Sequence, residues 1–235
     1  MFARFAYAPH RLGYCGPAET SDLRAESGER VRAAARHFTG AWPYLQVMSR
    51  MTGIADPLDH RLVESYWLGG GVGAELDPSA FVTELLTVIG PATGNYWKYL
   101  TQDALAGEAA ADHCFHVFGI YPWTRLLGRG GDQPIRVLDS CRISWGTVTA
   151  RRGNELTVLR RRLRFAGSRL FLGSPESVPV RVWEGGFSAV PEAAPGQLVA
   201  LHWDSLCGPL TLPQTRSLAV ATARQLRVTN RRLAR

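Results

Sequence analysis

Cysteine is scarce in this chain, and its spacing argues against two classes of small protein. Four cysteines occur among 235 residues, far apart from one another: Cys15, Cys114, Cys141 and Cys207. A small secreted domain held together by disulfides needs a denser set. Since no Cys-x-x-Cys pair is present, a zinc knuckle is not expected either. Reduced thiols and isolated metal ligands remain open.

Long apolar runs are also missing. No stretch reaches the roughly 18 apolar residues that a membrane span requires, and residues 1–9 lack the apolar core of a signal peptide. The expected location is therefore the cytoplasm, without membrane association. With 46% hydrophobic and 20% charged residues, the composition is that of one large or two small globular domains.

Lysine is almost absent. Lys98 is the only lysine, so arginine supplies nearly all the positive charge behind the net charge of +7. A basic protein attracts nucleic acid or an acidic protein partner. The charge does not choose between these two partners.

The N-terminal half has the periodicity of helices. Residues 1–17 are expected to be irregular, and residues 21–51 carry apolar side chains mostly three and four positions apart. Gly40 and Pro43 are expected to divide this stretch into two helices. A further short helix is predicted over residues 95–105.

Two Asp-Pro pairs are typical of helix starts. Asp56-Pro57 and Asp77-Pro78 each place proline at the first helical position. The run Gly69–Gly71 is expected to end the first of these helices as a plain loop. A phosphate-binding loop is disfavoured, because no strand precedes the run and no Lys-Ser/Thr follows it. We predict a mainly helical domain over residues 1–130, with a polar joint over residues 128–133.

After residue 133 the apolar period changes to two. Ile135 and Val137 begin an alternation that predicts five or six short strands up to Cys207. Gly153-Asn154 is a hairpin signal between two of them. Short strands at this spacing favour a small closed barrel, which leaves no unpaired edge.

A final helix is predicted from Thr211-Leu212-Pro213 onward. Its inner face repeats at three- and four-residue intervals: Leu218, Thr222, Leu226, Thr229 and Leu233. The predicted fold class is therefore α+β. A helical domain over residues 1–130 precedes a small β-barrel with a C-terminal helix over residues 134–235.

Cys141 is the first candidate site residue, because it is expected to open a strand of the barrel. A thiolate at such a position is a soft ligand for iron, copper or zinc. The alternative is a small buried residue of the barrel wall.

His202 is the second candidate, at the expected end of the last strand. Its imidazole can bind a metal or relay protons, and Asp204 could orient it. A rim histidine bonded to backbone is the alternative. Residues that flank the two candidates are predicted to contact a partner or cofactor: Arg142, Trp145, Trp203 and Asp204.

The two candidates lie within motifs of a known family. The module begins Cys-x-x-x-x-Gly-x-Val (Cys141, Gly146, Val148) and ends Pro-Gly-x-x-Val-x-x-His (Pro195 to His202), with one helix after it. In this it resembles the HypC-type chaperone of nickel–iron hydrogenase maturation, a small barrel of the OB-like kind. The resemblance covers about 95 residues and implies that Cys141 holds iron near His202. It also implies that the iron passes between an assembly scaffold and a hydrogenase subunit.

The sequence departs from that family at one important point. There the cysteine directly follows the initiator methionine, whereas Cys141 follows about 140 residues and has no free α-amino group beside it. The whole chain also resembles an uncharacterised actinobacterial family loosely associated with hydrogenase gene clusters. The resemblance implies an accessory or maturation protein that binds a metalloenzyme subunit or scaffold.

His113 and His116 form a third candidate site. Three residues apart on a helix, they share a face and could chelate a metal ion. Polar residues at a domain interface are the alternative. Cys15, in a Gly-Pro turn, is a fourth candidate, as a catalytic thiol paired with one of these histidines. An ordinary turn thiol is the alternative.

The fifth candidate is a basic ladder at residues 151–152 and 160–164. Alternate arginines of a strand face one side, and barrels that bind nucleic acid combine such faces with aromatic platforms. Only Phe165 is nearby, so a solvated or protein-docking face is the alternative. Three function classes thus remain open: an accessory protein, a nucleic-acid-binding barrel, and an enzyme that uses Cys15 with His113 or His116.

Overall fold

The computed structural model describes residues 1–13, 23, 28–90, 100–105, 107–129 and 131–234. Predictions for residues 14–22, Cys15 among them, and for residues 91–99 lie outside the described residues. The helices are α1 (Phe2–Arg11), α2 (Gly28–Ala35), α3 (Trp42–Thr52), α4 (His60–Leu68), α5 (Gly71–Ala74), α6 (Pro78–Ile89), α7 (Gln102–Leu105), α8 (His113–Phe115), a π-helix (His116–Ile120), a 3-10 helix (Pro122–Leu126), α9 (Gln133–Cys141) and α10 (Leu212–Leu233). The strands are β1 (Ser144–Arg152), β2 (Glu155–Ala166), β3 (Arg169–Arg181), β4 (Leu198–His202) and β5 (Ser205–Pro209).

The N-terminus is a helix rather than the irregular segment predicted. Helix α1 packs against β4 and β5 and buries Phe2, Phe5 and Tyr7. Burial of this apolar face against the sheet stabilises a helix too short to form alone in water. The contact partner lies in the distant half of the chain, so local sequence did not predict it.

Helix starts were predicted with mixed accuracy. Asp77 caps α6 as expected, with its Oδ1 accepting from the Ala80 backbone N–H at 2.7 Å. Helix α4 begins later than expected, because Asp59 rather than Asp56 caps it. The glycine run ends α4 as predicted, with positive φ at all three residues. A Cβ on Gly69 would lie 2.5 Å from that of Ala221, so α10 can approach only a glycine here.

The predicted β module begins with a helix. Residues 133–141 form α9, with Pro134 in its first turn and Val137, Leu138 and Cys141 buried. The buried positions have helical spacing, and the alternation of Ile135 and Val137 was misleading. Cys141 therefore ends a helix and does not open a strand.

The sheet has five antiparallel strands in the order β3-β2-β1-β4-β5. The α+β class and the hairpin at Gly153-Asn154 are confirmed. Strands β3 and β5 stand at the two ends of the hydrogen-bonded order, so the pairing does not close the sheet and the barrel stays a prediction. His202 ends β4 rather than the last strand, because a turn at Trp203 and Asp204 leads into β5.

Three apolar clusters fill the molecule. The largest joins the N-terminal helices to the sheet, where Ile143, Ala200 and Cys207 belong to it. A second lies within the sheet, and a third surrounds α9 and the π-helix. The first cluster spans the predicted domain boundary, which itself stays a prediction.

Helix α10 begins after Thr211, as the sequence predicts, and Thr211 and Gln214 form a capping box there. Its buried positions match the predicted inner face up to Thr229. Buried Glu108 accepts from Arg232, and this anchors the end of the helix. Among the residues the structure describes, none of the helices combines the length and the hydropathy needed to cross a membrane.

Candidate functional site

The segment after Asp112 brings two histidines to the junction between the N-terminal helices and the sheet. Asp112 caps α8, where its Oδ1 accepts from the Phe115 backbone N–H at 2.9 Å. The backbone then widens into a π-helix (His116–Ile120). Such turns are rare and occur frequently at functional sites. His113 and His116 enter the core from this α-to-π transition, and both are buried.

His113 is held at both ring nitrogens. Its Nε2 lies 2.9 Å from the Cys141 carbonyl oxygen, and its Nδ1 lies 3.1 Å from the Tyr66 hydroxyl. A carbonyl only accepts, so we assign the proton to Nε2, and the Tyr66 hydroxyl then donates to Nδ1. This network fixes the tautomer and the orientation of the ring.

His202 reaches the same place from β4. Its Nδ1 donates to the Phe5 carbonyl oxygen at 2.7 Å. That carbonyl is available because Pro9, four residues later in α1, has no N–H to donate to it. The His113 and His202 rings are 5.2 Å apart between centroids. Two candidates that were separate in the sequence therefore meet at one junction.

His116 completes the group. Its ring lies 5.9 Å from that of His113 and 5.5 Å from that of Tyr44. Neither of its nitrogens has a hydrogen-bond partner within the described part of the chain, and the same holds for the Tyr44 hydroxyl and Trp67 Nε1. Native cores leave few buried polar atoms unpaired. Their concentration here marks this junction as the candidate site.

Burial keeps the three imidazoles neutral. It lowers the pKa of His116 to about 4 and that of His202 to about 4, although backbone hydrogen bonds with Phe5 and Cys141 oppose the shift of His202. Burial also holds the pKa of His113 well below the ordinary 6.5, and the two other imidazoles add to this. At neutral pH the junction therefore contains three uncharged imidazole rings.

The three described thiols are buried. Cys141 packs among the apolar side chains of the third cluster, beside Phe118 and Leu138. Burial raises the pKa of the Cys114 thiol to about 12, and it raises the pKa of Cys207 as well. A protonated, enclosed thiol neither attacks nor binds metal readily. The predicted pairing of Cys15 with a histidine lies outside the described residues.

Two of the predicted metal ligands, His113 and Cys141, are engaged in other contacts. Within the described ranges, no three or more His, Cys, Asp and Glu side chains are grouped so that they could hold one. His113 uses both nitrogens in hydrogen bonds, and Cys141 presents its carbonyl rather than its thiol to the imidazoles. A metal site needs unengaged lone pairs that converge on one point. Metal binding stays a prediction.

An ion-pair network that the sequence analysis missed lies on the other side of Cys141. The buried Asp139 carboxylate accepts from Arg142 at 2.8 Å, from Arg160 at 3.0 Å and from the Leu163 backbone N–H at 2.7 Å. Burial would raise the pKa of Asp139, but the charges of Arg142 and Arg160 outweigh it and hold the pKa below 3.8. The sequence did contain one signal for this network, because Arg160 falls on the inward face of β2, at the same alternation as Leu156 and Val158.

This network changes the interpretation of the basic ladder. Arg160 is buried and also binds Asp204 at 2.9 Å, so it does not belong to an outward face. Arg162 and Arg164 share Glu176 at 2.8 and 2.9 Å. Fewer cations are therefore available to a polyanion than the sequence predicts.

The predicted partner-binding residues are divided between two places. Arg142 and Trp145 line a cavity on the sheet. Trp203 and Asp204 form the β4–β5 turn, both with positive φ, and the Trp203 N–H donates to the Ser140 carbonyl oxygen at 2.9 Å. This backbone hydrogen bond joins the turn to the end of α9.

A family model described as "Family of unknown function (DUF6390)" matches residues 1–235. No curated protein matches the chain, and no solved structure matches it.

Proposed function

Because the chain belongs to the DUF6390 family along its whole length, and the function of that family is unknown, we propose its role from its own residues. It is an accessory protein of metalloenzyme maturation, similar to the HypC-type chaperones, and it acts by binding a partner protein. The observation that carries this proposal is the closeness of Cys141 and His202. These residues open and close the segment that resembles the chaperone, and His113 contacts both of them.

The order of elements supports the same proposal. The turn after His202 is hydrogen-bonded to the residue before Cys141, and α10 follows the sheet as the trailing helix follows the chaperone barrel. Strands β3 and β5 also contact each other, as a curved, partly open barrel requires. The small-barrel interpretation of the sheet is part of this proposal.

The partner's docking surface is a groove along α10. It has a volume of about 360 Å³, and its floor is formed by small residues, including Gly73, Ala110 and Ala221. Val220, which lines it, is 69% exposed. An apolar side chain of a partner can pack there against Val220 and the small residues of the lining.

The charge of the groove selects an acidic occupant. Arg216 and Arg224 line it. Arg224 donates to the Glu108 and Ala109 carbonyl oxygens, and its charge opposes the rise that burial causes in the pKa of Asp112. Asp112 is the one acidic residue among the described lining residues, so Arg216 supplies most of the positive charge that is left. The occupant is therefore a partner segment that carries a bulky aliphatic side chain next to a carboxylate.

Charge reversal in the groove tests this surface. We expect Arg216→Glu to weaken binding of the hydrogenase large subunit or assembly scaffold at least about 10-fold, because it replaces attraction by repulsion at the rim. Arg231→Glu is the matched control, since Arg231 is exposed on the same helix outside the groove. Equal weakening by both variants would assign the effect to net charge and contradict the groove.

Iron binding is a separate prediction of the chaperone resemblance. It requires the Cys141 thiol to leave its apolar cluster and to face His202. Metal analysis of the native protein, wild type against Cys141→Ala and His202→Ala, measures it. About one iron atom per wild-type chain, with no iron in either variant, would support iron binding. A wild-type protein without iron contradicts it, and leaves partner binding to be judged by the charge reversal.

The two other function classes stay as alternatives. Nucleic-acid binding would weaken steeply with added salt, but the ion pairs of Arg160, Arg162 and Arg164 reduce the free charge it would use. An enzyme that uses His113 or His116 would need to expose an imidazole that is now enclosed. Neither alternative has a described feature as specific as the pairing of Cys141 and His202.

A further inference from the structure

A cavity of about 230 Å³ lies on the sheet, beside the first turns of α10. It shares no lining residue with the groove described above. Trp145 and Thr147 of β1 form one side, and Thr215 of α10 faces them. The volume suits a molecule smaller than an ordinary drug-sized ligand.

The charged residues of the lining are all basic. Arg142, Arg160 and Arg161 line the cavity, and none of the other described lining residues is acidic. Asp139 is the nearest buried carboxylate, and it already accepts from Arg142, from Arg160 and from a backbone N–H. Asp204 neutralises Arg160 further. Arg161 has no carboxylate partner among the described residues, so positive charge remains at the cavity.

Arg142 has hydrogen-bonding capacity to spare. Only 1% of this residue is exposed. Its Nε and Nη2 bind Asp139, and Nη2 also binds the Arg161 carbonyl oxygen. Its Nη1 makes no hydrogen bond with any part of the chain that the structure describes. Burial lowers the pKa of Arg142, so a bound anion would stabilise its charged form.

We propose that this cavity binds a small oxyanion, a carboxylate or a phosphate attached to a flat apolar group. The oxyanion lies between Arg142 Nη1, which gives it a single charged donor, and the Arg161 guanidinium, whose Nη1 already donates to the Gly173 carbonyl oxygen at 3.0 Å and whose other nitrogens are available. The flat group lies against the Trp145 ring. This site is independent of the docking groove and of iron binding.

Benzoate and phenyl phosphate are the probes, with benzamide as the uncharged control. Calorimetry on the full chain measures their affinity, and the indole N–H signal of Trp145 reports contact. We expect at least one of the anions to bind and benzamide to bind at least about 10-fold more weakly, since a hydrogen bond to a charged group contributes that much. If both anions bind, the one with the higher affinity identifies the oxyanion, phosphate or carboxylate, that the cavity prefers.

Two variants separate this site from general charge attraction. Arg161→Gln should weaken anion binding about 10-fold or more, and Arg164→Gln should leave it unchanged, because Arg164 is an exposed arginine outside the lining. The proposal is overturned if neither anion binds at millimolar concentration. Equal binding of benzamide, or equal effects of the two variants, also overturns it. Both arginines are on the surface, so neither change is expected to unfold the chain.

Discussion

Between pH 7 and pH 5 the free energy of unfolding is expected to fall by about 4 kcal/mol from His116 and His202 alone. Both imidazoles are neutral in the folded chain, with pKa values of about 4, and take up protons near pH 6.5 when the chain unfolds. The free energy of unfolding is therefore nearly unaffected by these two rings above about pH 6.5, and it decreases as the pH falls from there toward 4. His113, whose pKa burial also lowers, adds to the loss. Chemical unfolding at a series of pH values measures it.

The contribution of a single histidine can be isolated. His116→Leu removes a titrating ring whose nitrogens have no partner in the described chain, so it should reduce the pH 7 to pH 5 difference by about 2 kcal/mol. His60→Gln is the control, because the His60 side chain is 85% exposed. A wild-type stability that is flat between pH 7 and pH 5 would show that the rings are not held neutral. The same conclusion follows if His116→Leu leaves the pH dependence of the free energy of unfolding unchanged.

Asp139→Asn should destabilise the protein by about 3–5 kcal/mol, the cost of removing one partner of a buried ion pair. The substitution keeps the size of the side chain but leaves Arg142 and Arg160 with 1% and 2% exposed side chains and no buried carboxylate. Out of a typical total of about 5–15 kcal/mol, this is a large fraction. Denaturant unfolding at pH 7 measures it.

The control for this change is Glu176→Gln. Glu176 pairs with Arg162 and Arg164 but is 35% exposed, so its loss should cost less than about 1 kcal/mol. Similar losses for the two variants would mean that water reaches Asp139 and that the network is not a buried one.

Local signals in the sequence predicted several elements correctly. Thr211-Leu212-Pro213 placed the start of α10, Asp77-Pro78 placed α6, and Gly153-Asn154 placed the first hairpin. Each of these depends on interactions within a few residues of the chain.

Elements that depend on distant contacts were missed. Helix α1 forms against β4 and β5, almost the full chain length away. Pro9 does not interrupt this helix, because His202 donates to the Phe5 carbonyl oxygen that the proline leaves without a partner. Over the short segment of α9, alternation and helical spacing could not be told apart, since Val137 satisfies both.

For the candidate site, the sequence predicted the residue types but not their arrangement. His113, His116 and His202 were each selected, and their convergence depends on the packing of α8 and β4 in the tertiary fold. Cys141 was selected for its thiol, yet it contributes a carbonyl oxygen to the junction, because the end of α9 turns the side chain into an apolar cluster. Arg160 was expected on an exposed face, yet it shares the inward face of β2 with Leu156 and Val158.

We propose that this chain acts by binding a metalloenzyme partner through the groove along α10. The most direct test is co-expression with the hydrogenase large subunit and, separately, with the assembly scaffold, followed by size-exclusion chromatography. We expect the wild type and Arg231→Glu to co-elute with the large subunit, the scaffold or both, and we expect Arg216→Glu to elute alone. Elution of the wild type alone in both experiments would contradict the proposal.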